Sequence, residues 1–340
     1  MTYRIALNFE DGVTRFIACR PDETVADASF RAGVNIPMDC RDGACGTCKC
    51  RAESGNFDAG TYIEDALSER EFAQGYALAC QMRPHSDLVI SIAASSAACR
   101  IKNQSVTTTL RAVERLSDTS IAFTLQAEAP LAFLPGQYAN VTVPGTDQVR
   151  SYSFSSSPSE KTMSFLVRDI PDGVMSSFLR DQAVPGTKVT VAGPGGSFYL
   201  RDIKRPVLFL AGGTGLAPFL SMLERLAVTG SEQPIHLIYG VTNDADLVGV
   251  DRLEATAARI PNFTFACCVA AEASTQPRKG YVTAHIEPMH LNGGDVDIYV
   301  CGPPPMVESV RGWLDAQGVT PASFHFEKFA PSGVALRKAA

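Results

Sequence analysis

A chain of 340 residues is too long for one core, since single cores stop growing at about 250–300 residues, so several domains joined by short linkers are expected. Its 45% hydrophobic and 19% charged residues exclude the disordered and fibrous classes. A net charge of −6 argues against a nucleic-acid binder, and no apolar run approaches the ~18–20 residues that span a bilayer.

The excess charge is concentrated: residues 1–97 carry 14 Asp and Glu against 9 Lys and Arg, a net of −5. This is either a solvated acidic face or a surface that steers toward a basic patch on a protein partner. The first ten residues alternate polar and apolar, as a strand does, with no basic and then apolar leader, so no signal peptide is expected. The ten cysteines are thinly spread, and Cys267, Cys268 and Cys301 lie in apolar stretches, which favours a reducing cytoplasm over a secreted disulfide framework.

Tyr3–Phe9 and Thr14–Cys19 alternate around Glu10-Asp11-Gly12 and predict a β-hairpin. The spacing of Val25, Ala28 and Ala32 predicts a helix, with Thr24 as N-cap and Gly33 as C-cap. Then come Cys40, Cys45 and Cys48, with Cys80 after 31 intervening residues. The C-x4-C-x2-C…C pattern suits a two-iron, two-sulfur cluster. Gly43 and Gly46 leave the backbone free to wrap it and to point N–H groups at sulfur. The alternative is zinc, which usually takes two close cysteine pairs where this chain has a triplet and a lone distant Cys. Cys50, in an expected strand Cys48–Ala52, is off ligand spacing, and Cys19 and Cys99 suit small buried hydrophobes. Hairpin, helix and Cys loop in this order resemble the plant-type ferredoxins, which implies a β-grasp fold. Leu88–Ala93 is the closing strand, and the small residues Ala94–Ala98 lead into a linker.

From Ser105 to about Arg205, six alternating segments separated by Pro-Gly and Gly-rich turns predict an antiparallel barrel: Thr107–Leu116, Ser120–Leu125, Tyr138–Val143, Arg150–Ser155, Met163–Val167 and Lys188–Ala192. Period-two alternation puts Arg150, Tyr152 and Phe154 on one strand face and Ser151, Ser153 and Ser155 on the other. Either this is an ordinary sheet face, or it serves a ligand combining a phosphate with a flat ring. A short helix opening at Gly173–Ser177 offers free N–H groups and two serine hydroxyls to a diphosphate. Arg-x-Tyr-Ser-x-x-Ser followed by Gly-x-x-Ser resembles the FAD-binding domain of the ferredoxin–NADP reductase superfamily. That resemblance implies FAD held by Arg150, Tyr152, Ser153, Gly173, Met175 and Ser176, with Arg150 and Ser176 on the pyrophosphate. It implies Tyr152 packed on the isoalloxazine and Ser153 near the flavin N5.

After Arg205-Pro206 the apolar run Val207–Ala211 reads as a buried parallel strand, ending in Gly212-Gly213-Thr214-Gly215 before the helical Ala217–Leu226. Strand, glycine turn and helix place a phosphate at a helix N-terminus, or simply make a tight connection. The alternation continues through strand Ile235–Val241, helix Asp251–Ile260, strands Phe263–Val269 and Asp297–Cys301, helix Pro305–Gln317 and strand Ser323–Phe329, and it predicts a doubly wound parallel α/β sheet. Cys301-Gly302-Pro303, followed by Met306, resembles the Cys-Gly-Pro signature of the same superfamily, which implies that Cys301 and Gly302 lie beside the nicotinamide. Plain core is the other reading of Cys301. The acidic loop Thr242–Leu247 favours a ribose hydroxyl over a 2′-phosphate, hence NADH, unless Arg252 or Arg278 folds over it. The five histidines have no metal or base spacing.

Ferredoxin domain, flavin barrel and nicotinamide domain in this order resemble the reductase component of benzoate, toluate and anthranilate 1,2-dioxygenase systems over residues 1–329. The division expected is 1–97 ferredoxin, 98–105 linker, 106–204 FAD barrel, 205–329 NAD domain and 330–340 tail. The resemblance implies an NADH-dependent enzyme with a [2Fe-2S] cluster and FAD. It would be a cytoplasmic monomer feeding a multi-subunit Rieske-type terminal oxygenase. The alternatives are a reductase of a soluble di-iron monooxygenase and a non-enzymatic iron–sulfur carrier. The family often ends at an aromatic residue stacked on the flavin. Here Phe329 occupies that position, but eleven residues follow it.

Overall fold

The computed structural model describes residues 2–38, 40–100, 104–158 and 160–329. It divides into two compact units. One runs to Gln104 and takes in Gly193–Ser197; the other is Ser105–Ala192 with the chain from Phe198 onward. The expected tail 330–340 lies outside the described residues.

In the first unit β1 (Tyr3–Phe9) and β2 (Thr14–Cys19) form the hairpin, and β1 then pairs in parallel with a strand far along the chain. Helix α1 (Val25–Arg31) starts where expected, because the Thr24 hydroxyl accepts the Asp27 N–H at 3.2 Å, a cap worth about 1 kcal/mol. It ends at Ala32, with Gly33 turning away at φ +77°. Beyond the cysteine loop come β3 (Lys49–Ser54), β4 (Phe57–Asp58), α2 (Glu69–Ala73), β5 (Tyr76–Leu78), β6 (Arg83–Pro84) and β7 (Leu88–Ile92). The five-stranded sheet has the order β2-β1-β7-β3-β5. Cys48, expected to open a strand, lies just before β3; Cys50 is inside it, buried, its thiol donating to Ala77 O. The stretch from Ala94 expected to lead into a linker is folded onto this unit: Asp11 accepts the Ser96 N–H, Asn35 N–H donates to Cys99 O, and Ala98–Arg100 form a turn of 3-10 helix. Small side chains there permit close packing as well as linker freedom.

The second unit begins with β8 (Gln104–Arg115), β9 (Ser120–Gln126), β10 (Tyr138–Thr142), β11 (Val149–Ser153) and β12 (Thr162–Arg168). Helix α3 (Val174–Asp181) and β13 (Lys188–Gly195) follow. The sheet order is β11-β10-β13-β8-β9-β12, and a bridge between Phe154 and Phe165 brings its two ends together into a nearly closed barrel. The interior is filled by Phe123, Phe133, Phe154 and Phe165, whose neighbouring ring centroids lie 3.8–5.3 Å apart.

The parallel sheet is built from β14 (Val207–Gly212), α4 (Ala217–Thr229), β15 (Ile235–Val241), α5 (Val250–Arg259), β16 (Phe263–Val269), α6 (Pro288–Leu291), β17 (Asp297–Gly302), α7 (Pro304–Ala316) and β18 (Ser323–Lys328). Its order is β16-β15-β14-β17-β18, so the winding reverses between β14 and β17. In such sheets a ligand binds outside the carboxyl ends of the strands at that reversal. Barrel and sheet belong to one unit because they share packing and hydrogen bonds. Leu166 of β12 joins the core beneath α4, and Ser221 Oγ donates to Ser156 O at 2.7 Å.

Candidate functional site

Three loops carry the chemistry. In the first unit the four cysteines stand as two pairs, Cys40 with Cys45 and Cys48 with Cys80. Within each pair the two sulfurs lie within hydrogen-bond reach of one another. Backbone N–H groups also point at the sulfurs: Ala44 and Cys45 donate to Cys40 Sγ at 3.4 and 3.3 Å, and Gly43 donates to Cys80. Two pairs rather than one convergent quartet fit a two-iron cluster, where each iron takes two thiolates, better than a tetrahedral zinc. Among the described residues no three His, Cys, Asp or Glu side chains converge on a single ion site.

The loop geometry demands its glycines. Gly43 has φ +84°, and a Cβ there would lie 2.3 Å from Thr61 O; Gly46 has φ +74°, with Ala66 O at 3.0 Å. The chain 61–66 is therefore a wall against which the cysteine loop is pressed, and Ile63 N–H donates to Gly43 O. Sequence reading found the glycines but not this wall, which is remote in sequence.

In the second unit Arg150 is turned along its own strand, donating to Val149 O and Gln148 Oε1. Tyr152 is half-buried against the barrel core, edge-on to Phe123 at 6.0 Å, and burial raises its hydroxyl. The period-two pattern holds only to the end of β11. Ser153, Phe154 and Ser155 are all buried, because the chain there leaves the strand and meets α4 and α5, whose Ser221 and Arg252 donate to Ser156 O and Ser155 O. Gly173 is the N-cap of α3 and leaves its first N–H groups without a side-chain cap, while Met175 is buried in the barrel core. Ser176 Oγ accepts from Ile170 N–H and donates to Arg168 O, holding the turn that presents those groups.

At the sheet reversal, Gly212–Gly215 and Cys301-Gly302 end neighbouring strands and touch back to back. A Cβ on Gly215 would lie 2.3 Å from Cys301 O, and one on Gly212 would meet Met306 Sδ at 2.4 Å. Gly213 and Thr214 form the half-buried crest, Gly213 at φ +55° with open space where a Cβ would stand. Cys301 is fully buried, and burial, aided by Glu327, pushes its thiol well up, so it is a neutral S–H. Phe329 N–H donates to Gly302 O at 2.9 Å, and its ring packs at the margin of the sheet core.

These elements bring Ser153 and Cys301 to one place through a residue that sequence reading passed over. Ser153 Oγ donates to Glu327 Oε2 at 2.9 Å, and Glu327 is the register partner of Cys301 on β18. Only its position two residues before Phe329 could have pointed to it.

The acidic loop is more constrained than its composition suggests. Asp246 accepts from Asn243 N–H and Nδ2 and from the Thr119 hydroxyl of the barrel, which spends it on structure. Asp244 is half-buried and held by the Ser274 hydroxyl and by Thr275 N–H and Oγ1, the first of which chiefly lowers its pKa. Arg252 turns away to Ser155 O and Glu224, so it does not neutralise this loop.

Fold and site define an oxidoreductase assembled from an iron–sulfur, a flavin and a nicotinamide module. Residues 8–85 match the 2Fe-2S iron-sulfur cluster binding domain, 107–199 the oxidoreductase FAD-binding domain and 209–312 the oxidoreductase NAD-binding domain. Along 98% of its length the chain is 58% identical to the toluate 1,2-dioxygenase electron transfer component of Pseudomonas putida, covering all of that protein. It is 50% identical to the 2-halobenzoate 1,2-dioxygenase component of Burkholderia cepacia, with 98% and 99% of the two chains covered. The chain belongs to this family of 1,2-dioxygenase electron transfer components and is an NADH-dependent oxidoreductase with FAD and a [2Fe-2S] cluster. The crystal structure of the Amycolatopsis cytochrome P450 reductase shares the fold, with TM-score 0.73 and 32% identity over 96% of this chain and 99% of that one.

Proposed function

We propose that this chain draws electrons from NADH and delivers them singly to the terminal oxygenase, Rieske-type and multi-subunit, of a system acting on benzoate-like carboxylates. The observation that carries the reading is the pairing of the cysteines at one site with the Ser153–Glu327–Cys301 convergence at another. Bound FAD and the cluster supply the conversion from two-electron hydride to single electrons that an oxygenase requires.

The protein's own groups bind and orient. The uncapped N–H groups of residues 174–176 at the start of α3 and the Arg150 guanidinium are the donors for the FAD pyrophosphate, with Met175 and Ser176 fixing the turn. Tyr152 presents a ring to the isoalloxazine, and Ser153 stands at its reactive edge. Gly212, Gly213, Thr214 and Gly215 cradle the coenzyme phosphates, and Cys301 and Gly302 border the nicotinamide. Phe329 closes the strand edge beside Gly302. Asp244, half-buried and anionic, favours a ribose hydroxyl over a 2′-phosphate. Cys40, Cys45, Cys48 and Cys80 ligate the cluster, and Gly43–Thr47 lie nearest the partner. The domain boundaries that suit these roles are 1–97, 106–204 and 205–329, in a cytoplasmic monomer.

The test is reconstitution with purified benzoate-type oxygenase. NADH-driven product formation is expected with the wild type. Cys45→Ala is expected to abolish delivery while NADH-to-ferricyanide turnover at the flavin persists. Delivery only to a di-iron monooxygenase would overturn the choice of partner.

A further inference from the structure

Gln81 directly follows the fourth cysteine, and its carboxamide reaches two places at once. Nε2 donates to Arg41 O at 3.1 Å, inside the loop between Cys40 and Cys45, and lies 3.8 Å from Cys80 Sγ. The side chain is held there by the absence of another. Gly60 has φ +69°, and a Cβ on it would lie 2.8 Å from Gln81 O, 2.9 Å from its Cβ and 3.2 Å from its Oε1. The other donors to the paired sulfurs are backbone N–H groups at Gly43, Ala44, Cys45 and Thr47 and the Thr47 hydroxyl, which serves Cys45. Gln81 is a side-chain donor and can be removed without rebuilding the loop.

We infer that Gln81 is a positioning and potential-setting residue of the cluster, clipping the Cys40–Cys45 lobe to the fourth ligand and donating a hydrogen bond to the Cys80 sulfur. The physical reason is charge. Reduction adds an electron whose density spreads onto the ligand sulfurs, and a donor aimed at one of them stabilises the reduced form more than the oxidised form. Losing the donor should make the cluster harder to reduce, which slows transfer from the flavin and strengthens the driving force onward. The inference rests on the iron–sulfur reading of the four cysteines.

The experiment is a spectroelectrochemical titration of the whole reductase, cluster and FAD loaded, followed by the EPR signal of the reduced cluster. Gln81→Met keeps the length and neutrality of the side chain but cannot donate. At the wild-type midpoint, where half the clusters are reduced, the reduced-to-oxidised ratio of Gln81→Met is expected to fall about ten-fold, the scale of one hydrogen bond to a charged acceptor. Gln81→Glu, of the same shape but anionic, should fall further. An unchanged midpoint in Gln81→Met with full iron content would overturn the inference. If Gln81→Met does not retain iron, Gln81→Asn, which keeps the amide but is one methylene short, gives the same reading. A wild type with no iron and no reduced-cluster signal would instead sink the cluster reading itself.

Discussion

Ser153 is 3% exposed and buries its hydroxyl only because Glu327 accepts it. Removing that hydroxyl removes its bond to Glu327 and, on the role proposed for Ser153, the donor at the flavin edge. Ser153→Ala is expected to slow NADH-dependent flavin bleaching in stopped flow by about 10²-fold, the usual cost of one preorganised donor, with iron content unchanged. A rate within a factor of two of wild type would remove Ser153 from the hydride step. His236 and His290 make a second residue-scale case. Their rings stack at 4.0 Å, His236 bonds to Thr264 Oγ1, and His290 Nδ1 accepts the Glu287 N–H. Burial, then the His290 and Arg278 charges, pushes His236 down to about 4. The folded form therefore binds fewer protons than the unfolded chain. Its contribution is fully present above the ordinary histidine value and is lost as pH falls from about 6.5 toward 4. Urea midpoints measured across that range should decline, and His236→Gln should flatten the decline; an identical slope would show that other groups set it.

At the scale of elements, β14 and β17 are held side by side by glycine. The Gly215 position allows no Cβ, since the obstruction at 2.3 Å is the Cys301 backbone and cannot rotate away. Gly215→Ala should push the two strand ends apart, raising the KM for NADH and costing about 1–3 kcal/mol in urea unfolding. Gly213→Ala meets no neighbour and pays only for φ +55°, about 1 kcal/mol. Equal losses in the two variants would show that backbone strain, not strand contact, governs the loop. The same comparison explains why helix starts, such as Thr24 before α1, were legible while the wall at 61–66 was not. A cap is decided within four residues, whereas the wall is a contact across the fold.

For the molecule as a whole, charge is the decisive quantity. Nearly all of the −6 lies on residues 1–97, and α2 beside the cysteine loop, with no buried residue, adds exposed Glu69. Reduction of basic cytochrome c should therefore slow several-fold as salt rises from about 0.01 to 0.15 M, where the Debye length shrinks from ~30 to ~8 Å. Turnover with ferricyanide, an anion, should not slow in this way. A salt-independent cytochrome rate would leave the acidic face as simple solvation.

Local and periodic features were determined by sequence alone. Cysteine spacing, the strands of the hairpin and the barrel, the alternation that makes the parallel sheet, and the glycine turns all depend on neighbours a few residues away. What only the tertiary structure decided involves partners brought from afar. Glu327 meets Ser153 across 174 residues, Asp246 is spent on Thr119 of the barrel, and Gln81 ties Cys80 to the loop at Arg41. A side chain's role there depends on which groups the fold leaves near it, and partial burial raises the cost of leaving the Ser153 and Thr119 contacts unmade.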